Sequence, residues 1–472
     1  MTLHLVSSLS APWAVALLGL ALLAPPGAQA QAEASPAAWG EQQAQALLAS
    51  LPGPGAATQA VADNAAWLRL RQQLSRSLQD HPEARATLAS TQGARAATRE
   101  AAAASRPQLS LEAETGHRDQ DANELSGTTA RRWDTGSIGL NLRQPVWDGG
   151  TTRSQIAAST AFADGVEARG EARRADFALR AVQAALERVR ARRLLELAHL
   201  HVQAREEIVA DLTRRHELGG GTLSDVWRAR SRAVEARGAL VQAEARLQSA
   251  EATCRELLGD DIPAELDLRP PPLPGLAAVL ADPVTAQDRF AAIVAAQSAV
   301  RTAEHELDVA RRRDGPRVDL DAGISRRDLV GGRRTGTDWQ AGLTLRHSFD
   351  VGGAEDARIA QARARLDEAA EQLRSTRLQL ERSLRQTLAE DRIGESLLEA
   401  RRDGIVLAVD ALRGVREQFA FRRGSLLDVL SAQDSLHAAG LAWVEAEHGR
   451  ALNRWRIAYF TGALMPWIGL AP

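Results

Sequence analysis

The chain has 472 residues, 44% of them hydrophobic, with 58 Lys and Arg against 60 Asp and Glu for a formal net charge of −2. That length allows two or three ordinary domains or one elongated one, and that hydrophobic share excludes a wholly disordered chain. Every basic residue is Arg, scattered through Ala-rich segments with no basic patch, so the composition speaks against a nucleic-acid partner. Aromatic residues make up 4%, and Ala, Arg, Glu, Gln and Leu prevail, which is the composition of long helices rather than of a bulky globular core.

The first thirty residues carry no Asp, Glu, Lys or Arg. They contain an apolar run over 14–24 and end on Ala28-Gln29-Ala30, which predicts a secretory signal peptide over 1–30. The run is shorter than the ~20 residues a spanning helix needs, and no other stretch resembles it, so membrane insertion of the mature chain has to be by strands. Residues 31–80 are assigned to an N-terminal periplasmic segment. Cys254 is the only cysteine. It lies inside a helical pattern and reads as a packing residue, leaving no lipid-accepting cysteine at a mature amino terminus.

One phrase occurs twice: QPVWDGGTTRSQI over 144–156 and HSFDVGGAEDARI over 347–359. Leu140 pairs with Leu343, Gly149 with Gly352, Gly150 with Gly353 and Ile156 with Ile359, each 203 positions apart. The same offset pairs Gly221 with Gly424, Leu223 with Leu426, Asp225 with Asp428 and Val226 with Val429. Two phrases held at one offset predict a duplicated chain. The first repeat spans 81–259 and the second 284–464, with a Pro-rich connector over 260–283 and a C-terminal tail over 465–472.

Each half reads helix, strand, loop, strand, long helix, turn, helix. In the first, a helix begins near Pro82 and stops before Arg106-Pro107; in the second, Asp282-Pro283 starts a helix that Gly315-Pro316 ends. The long helices span 151–217 and 354–420, about 100 Å each at 1.5 Å per residue. Apolar positions of the first one (Ile156, Phe177, Val182, Leu186, Val189, Leu194, Leu197, Val202, Ile208, Leu212) follow one helical stripe, with Ala between them for close packing. The shorter helices over 83–105 and 222–258 together reach ~90 Å, so stacked end to end they would match a long helix.

Strand patterns flank the loops. Leu109, Leu111 and Ala113 alternate with polar residues, as do Ile138, Leu140 and Leu142, then Val318, Leu320, Ala322 and Ile324, and finally Leu343 and Leu345. Period two with one apolar face fits a half-exposed sheet. With the export signal and with Trp133, Trp147, Trp339 and Phe349 near strand ends, it fits a membrane barrel whose Leu140, Leu142, Leu343 and Leu345 face lipid. The polar stretches over 116–132 and 326–337 are then the loops between paired strands. Four strands cannot close a barrel, and an open edge is not tolerated in lipid, so the chain must assemble with copies of itself.

These residues, together with Arg423-Gly424-Ser425-Leu426-Leu427-Asp428-Val429-Leu430-Ser431-Ala432-Gln433, resemble the outer-membrane efflux protein family, the TolC-like channels, over about 81–464. The resemblance implies a homotrimer in which twelve strands form one membrane β-barrel and the helices continue it as an α-helical barrel through the periplasm. It implies a periplasmic adaptor and an inner-membrane ABC or other export transporter as partners. Gly219, Gly220, Gly221, Thr222 and Arg422, Arg423, Gly424, Ser425 would form the periplasmic tip that meets the adaptor. Asp428 matches an acidic pore-narrowing position of the family. The next acidic position of that pattern is Ser431 here, and Arg422 stands where the family usually has Gly. Asp428 also suits a helix-start carboxylate.

The wording over 219–226 is similar to the type I secretion branch, which exports unfolded proteins; drug or metal efflux channels share the architecture. The helices alone would equally suit a periplasmic coiled-coil scaffold without a pore. No HExxH, GxxxxGK[ST] or Cys/His cluster of metal spacing appears, so no enzyme activity, cofactor or metal is expected. Gly149, Gly150, Gly352 and Gly353 are read as joints between a strand and a long helix.

Overall fold

The computed structural model describes residues 39–51, 65–120, 131–260, 263, 266–268, 290–327 and 336–469. The predicted signal peptide, most of the Pro-rich connector and the Asp282-Pro283 helix start lie outside these residues. Two short helices come first, α1 (Glu41–Ser50) and α2 (Ala65–Asp80), then α3 (Pro82–Ala103). Strands β1 (Gln108–Gln120) and β2 (Arg131–Trp147) lead into α4 (Thr151–Glu217) and α5 (Leu223–Leu258). The second half repeats the order: α6 (Ala291–Arg312), β3 (Arg317–Arg327), β4 (Gly336–Arg346), α7 (Ala354–Ala420) and α8 (Leu426–Phe460), with α9 (Leu464–Ile468) after it.

Local chemistry explains the boundaries. Pro82 opens α3 behind His81, whose ring accepts from the Glu83 N–H. Thr222 and Ser425 cap α5 and α8 in the same way. Both long helices have 67 residues, start after a left-handed glycine and stop at a left-handed turn.

The short helices stack along the long ones. α3 lies on the N-terminal part of α4, where Arg95 meets Glu167 at 2.8 Å and Thr98 donates to the Ser159 carbonyl. α5 lies on the C-terminal part, where Arg237 meets Glu206 at 2.6 Å. On the other flank of α4 come α6, through Ser298 beside Gly165, and α8, through Glu445 bound by Arg190 at 2.7 Å. α7 then packs against α6 and α8, with Leu380 on Ile293 and Glu395 on Arg450. The neighbours therefore run α3 and α5, α4, α6 and α8, α7. Close approach needs small residues: a Cβ at Gly170 would sit 2.8 Å from a methyl of Thr87.

The largest apolar cluster wraps the middle of α4. Phe177, Val182, Leu186 and Val189 meet Leu70 and Leu74 of α2, Leu258 of α5 and Trp455 of α8. Trp467 of α9, within the stretch read as a tail, joins them, its ring centroid 4.6 Å from that of Trp455, which in turn lies 5.4 Å from that of Trp67.

The sheet is antiparallel throughout in the order β1-β2-β3-β4, so β1 and β4 each have an open edge. One correction concerns the loops. The β1–β2 ladder continues to Gln120–Arg131 and the β3–β4 ladder to Arg327–Gly336, so parts of 116–132 and 326–337 are strand. Polar cross-strand pairs hold these ends, His117 with Asp134 at 2.9 Å and Arg327 with Asp338. They carry no apolar alternation from which a strand could be read.

Candidate functional site

Register sorts the sheet into two faces. Leu109, Leu142, Ala322 and Ala341 form one row, and Leu111, Leu140, Ile324 and Trp339 the next. Leu320 with Leu343 and Val318 with Leu345 continue the same face. Leu343 and Leu345 are each 68% exposed and Leu140 39%, while Leu142 is half-buried. The opposite face carries Ser110, Asn141, Arg143, Asp321 and Thr344, and Asp321 accepts from Arg143 Nε at 3.0 Å and from Thr344 Oγ1 at 2.9 Å. Trp147 and Phe349 stand exposed at the helix end of the sheet and Trp339 towards the other end. The side chain of Trp133 lies outside the described residues.

The two strand-to-helix joints differ in detail. In the first, Gly149 (φ 66°) and Gly150 (φ 87°) are both left-handed; in the second only Gly353 (φ 75°) is, and Gly352 is not. An aspartate caps each helix start. Asp148 accepts from the N–H of Gly150 at 3.0 Å and of Thr152 at 2.7 Å, and Asp350 from those of Gly352 at 3.1 Å and Glu355. The backbone bond from Glu355 holds the Asp350 carboxyl below its ordinary range. Because Asp350 lies one position off the 203-residue offset, the same capping is reached with one more residue between carboxylate and helix. β2 absorbs its own irregularity as a bulge between Pro145 and Trp147. Both joints gather on the end of α6 and the turn after it: Arg312 donates to the Gly149 carbonyl at 3.1 Å, and Arg358 pairs with Asp314.

At the far end, the two hairpin turns share one hydrogen-bond pattern. Gly219 N–H donates to the His216 carbonyl at 2.9 Å and Gly220 N–H to that of Arg215 at 2.8 Å. Arg422 and Arg423 repeat this onto Phe419 at 3.0 Å and Gln418 at 2.8 Å. Gly219 has φ 77° and Arg422 has φ 59°, the only positive φ at a non-glycine among the described residues. A side chain there costs about 1 kcal/mol. An electrostatic gain offsets part of it. The last turn of α4 carries Arg214, Arg215 and His216, whereas that of α7 has no basic residue, and Arg422 and Arg423 place positive charge at its carboxyl end instead.

Beyond the turns come Gly221 and Thr222 in one half and Gly424 and Ser425 in the other. Asp225 N–H donates to Thr222 Oγ1 at 3.2 Å. Ser425 and Asp428 form a reciprocal capping box: Asp428 N–H donates to Ser425 Oγ at 3.2 Å, and the Asp428 carboxylate accepts from Ser425 N–H at 3.1 Å and Oγ at 2.7 Å. Those bonds, the side-chain one foremost, hold the Asp428 carboxyl below its ordinary range. Ser431 is exposed one turn further on.

Behind the turns lies a cluster that the sequence reading missed. Ile208 and Leu212 of α4, Val226 and Ala229 of α5, and Leu426, Val429 and Leu430 of α8 enclose Trp39, which is fully buried. A Trp in an Ala-rich segment just ahead of a helical pattern was the available signal.

A sequence profile described as "Outer membrane efflux protein" matches residues 73–260 and 283–463. The outer membrane efflux protein BepC of Brucella suis biovar 1 is 26% identical over 341 residues, covering 70% of this chain and 73% of that protein. Among solved structures, a membrane protein from Pseudomonas aeruginosa superposes with a TM-score of 0.75 at 23% identity, covering 88% of this chain and 100% of the other. The outer membrane protein VceC from Vibrio cholerae gives 0.72 at 22%, covering 84% and 96%. These structures share the fold, a long helical bundle carrying a strand domain. With both repeats matched, the chain belongs to the outer membrane efflux protein family, whose members are channel proteins rather than enzymes.

Proposed function

We propose that three copies of this chain close one channel-tunnel, a twelve-stranded barrel in the outer membrane continued by a helical barrel into the periplasm, as the exit duct of a tripartite export system. The observation that carries this reading is the open four-stranded sheet with one continuous, exposed apolar face. Such a face suits lipid, and unpaired edges suit neighbouring copies, because lipid leaves no backbone group to water. The helical part supports the same assembly. α7 exposes Leu378, Ile393 and Leu407 on one flank of the protomer, and α5 exposes Trp227, Val234 and Val241 on the other. A scaffold without a pore has no use for that sheet.

In this reading Leu140, Leu142, Leu343 and Leu345 meet lipid, and the glycine joints carry each strand into the periplasm. The turns at 219–222 and 422–425 meet a periplasmic adaptor linked to an inner-membrane ABC or other transporter. Asp428 narrows the pore, its ionised state favoured by Ser425. The mature chain is exported by a cleaved signal peptide and is not lipidated. The cargo we favour is an unfolded protein, by the likeness of 219–226 to type I secretion channels. A drug or metal efflux role is the second reading, favoured by the likeness to BepC, an outer membrane efflux protein.

Secretion profiles of a deletion strain separate the two. Loss of one large exported protein supports type I secretion, whereas broad drug sensitivity with an unchanged secretome overturns it. A heat-dissociable oligomer in outer-membrane fractions supports the channel, and a soluble extended species defeats it. Asp428→Ala should change the cation preference of single channels; unchanged selectivity removes Asp428 from the constriction.

A further inference from the structure

Residues 39–51 do not belong to either repeat, yet they touch both hairpins behind the tip. The Gly40 N–H donates to Glu207 of α4 at 3.3 Å, and Gln203 of α4 donates to Gln42 at 2.7 Å. Arg416 of α7 donates to the Trp39 carbonyl at 2.8 Å and to Glu41 at 2.7 Å. Gln43 bonds His437 of α8 at 3.3 Å, and Leu47 packs where a Cβ on Gly440 of α8 would lie 2.8 Å away. Trp39 itself lies within the cluster formed by α4, α5 and α8, with Phe419 of α7 at a ring distance of 5.4 Å.

The seat under this segment is polar and incompletely satisfied. Gln43, Arg205, Gln433 and Arg416 are almost wholly buried and His201 nearly so. Among the described residues, Gln43 Oε1, His201 Nδ1, Arg205 Nε and Nη1 and both amide atoms of Gln433 have no hydrogen-bond partner. Buried polar atoms left unpaired favour any movement that admits water, so such a seat holds less firmly than an apolar one of equal area. At its centre the rings of His201 and His437 stack, with centroids 4.1 Å apart and planes 13° apart.

We propose that residues 39–51 form a latch that ties the α7–α8 hairpin to the α4–α5 hairpin behind the tip, and that acid releases it so that the two hairpins can separate. The groups facing the His pair set the direction. Arg205 of α4 stands beside both rings and pairs with Asp434 of α8, which lies 3.7 Å from His201 Nε2. α1 turns the neutral Gln43 to the pair, and its one charged partner here, Glu41, is engaged by Arg416 of α7. Arg232 and Glu235 of α5, paired at 2.8 Å, add opposite charges near Arg205. Burial is the leading cause that pulls both rings down, His201 to about 3; the charges of His437 and Arg205 add to it at His201, while at His437 Asp434 opposes it and Arg205 adds to it without reversing the direction.

A lowered imidazole value means that the docked state binds fewer protons than the released one. Docking is therefore favoured above the ordinary histidine value of 6.5 and weakens as pH falls below it. Two protons taken up on release change the equilibrium by up to about a hundredfold per pH unit. For transport this rests on the channel proposed above, since separating hairpins matter only if their turns narrow a pore.

The test uses the full-length protein at pH 7.5 and 5.5. Amide exchange over 39–51, corrected for the intrinsic rate, should rise at least tenfold at the lower pH, and single-channel conductance in planar bilayers should rise several-fold. His201→Gln with His437→Gln should flatten both responses. Bismaleimide cross-linking of Gln42→Cys to Gln203→Cys, in a Cys254→Ala background, should abolish the conductance response while leaving the channel open at its neutral-pH level. Exchange that does not change with pH, or a double Gln variant that keeps the native response, overturns the latch. Exchange that responds in a protein that never conducts overturns the channel reading and leaves the latch standing.

Discussion

α4 and α7 have the same length, the same glycine start and the same turn at the end, yet they live in different surroundings. α4 is flanked on both sides and meets α2 and α9 as well, so buried residues recur along its whole length. α7 has neighbours on one side only and buries little more than Leu380, Leu384, Ile405, Val409 and Leu412. Duplicated positions have followed their surroundings. Val182 and Val189, both buried in α4, correspond at the 203-residue offset to Arg385 and Arg392, both exposed in α7. Helix formation therefore sets little of this difference, since Arg and Ala suit a helix better than Val. What differs is which flank a protomer can cover by itself.

The sharpest way to break that comparison is Val182→Arg. It would place a guanidinium in the apolar cluster that holds Leu70, Leu186 and Trp455, and an uncompensated buried charge costs on the order of 3–5 kcal/mol. Loss of the folded protein, read as a collapsed thermal transition by circular dichroism, is expected. Arg385→Val, its counterpart, should leave the transition of the dissociated chain almost unmoved. A large effect at Arg385 would show that α7 is covered within the protomer after all.

The sheet predicts the reverse, equal effects in the two halves. Leu140 and Leu343 lie on the same exposed face, so Leu140→Arg and Leu343→Arg should each cost about 2–4 kcal/mol if they sit near the bilayer midplane. Urea titration of folding into lipid vesicles measures this. Normal folding of either variant would contradict lipid on that face.

Much of this architecture was legible because the signals were local. Gly150 and Gly353 before the long helices, and turn residues after them, bounded 151–217 and 354–420 without any tertiary information. Period-two alternation gave the sheet's apolar face. The strand ends were not legible, because polar pairs such as His117 with Asp134 extend the ladder with no apolar mark. Nor were α1, α2 and α9. Helices this short are held by tertiary packing rather than propensity, although Trp67, Leu70, Leu74 and Leu78 do trace one face of α2. At the tip, the sequence placed Asp428 near a helix start but could not say which partner it had.

The two turns offer the next comparison. Gly219→Arg puts a side chain into a left-handed conformation that only glycine adopts freely, and should cost about 1 kcal/mol. Arg422→Gly removes that strain but also a charge at the carboxyl end of α7, worth about 0.3–1 kcal/mol, so its net gain should be well under 1 kcal/mol. Denaturant midpoints at low and high salt separate the two contributions, because salt screens only the charge. A gain that is the same at both salt levels would assign no electrostatic role to Arg422.

The smallest expected effect is at Asp428 itself. Its carboxyl is held below the ordinary value of 3.8 by bonds from Ser425, so its ionised form stabilises the first turn of α8 above that value. This contribution is lost as pH falls below 3.8 and through the lower folded-state value, as the carboxylate gains its proton and stops accepting. Amide exchange in that first turn should therefore quicken in acid beyond the intrinsic rate. Asp225 accepts from Thr222 Oγ1 at 2.6 Å, but among the described residues the return bond from the capping residue's own N–H goes to Asp428 alone. The acid effect is accordingly expected at the start of α8, with the start of α5 as its internal reference. Asp428→Asn should remove it at α8 and leave α5 as it was, and an Asn variant that still frays in acid would trace the effect to another group.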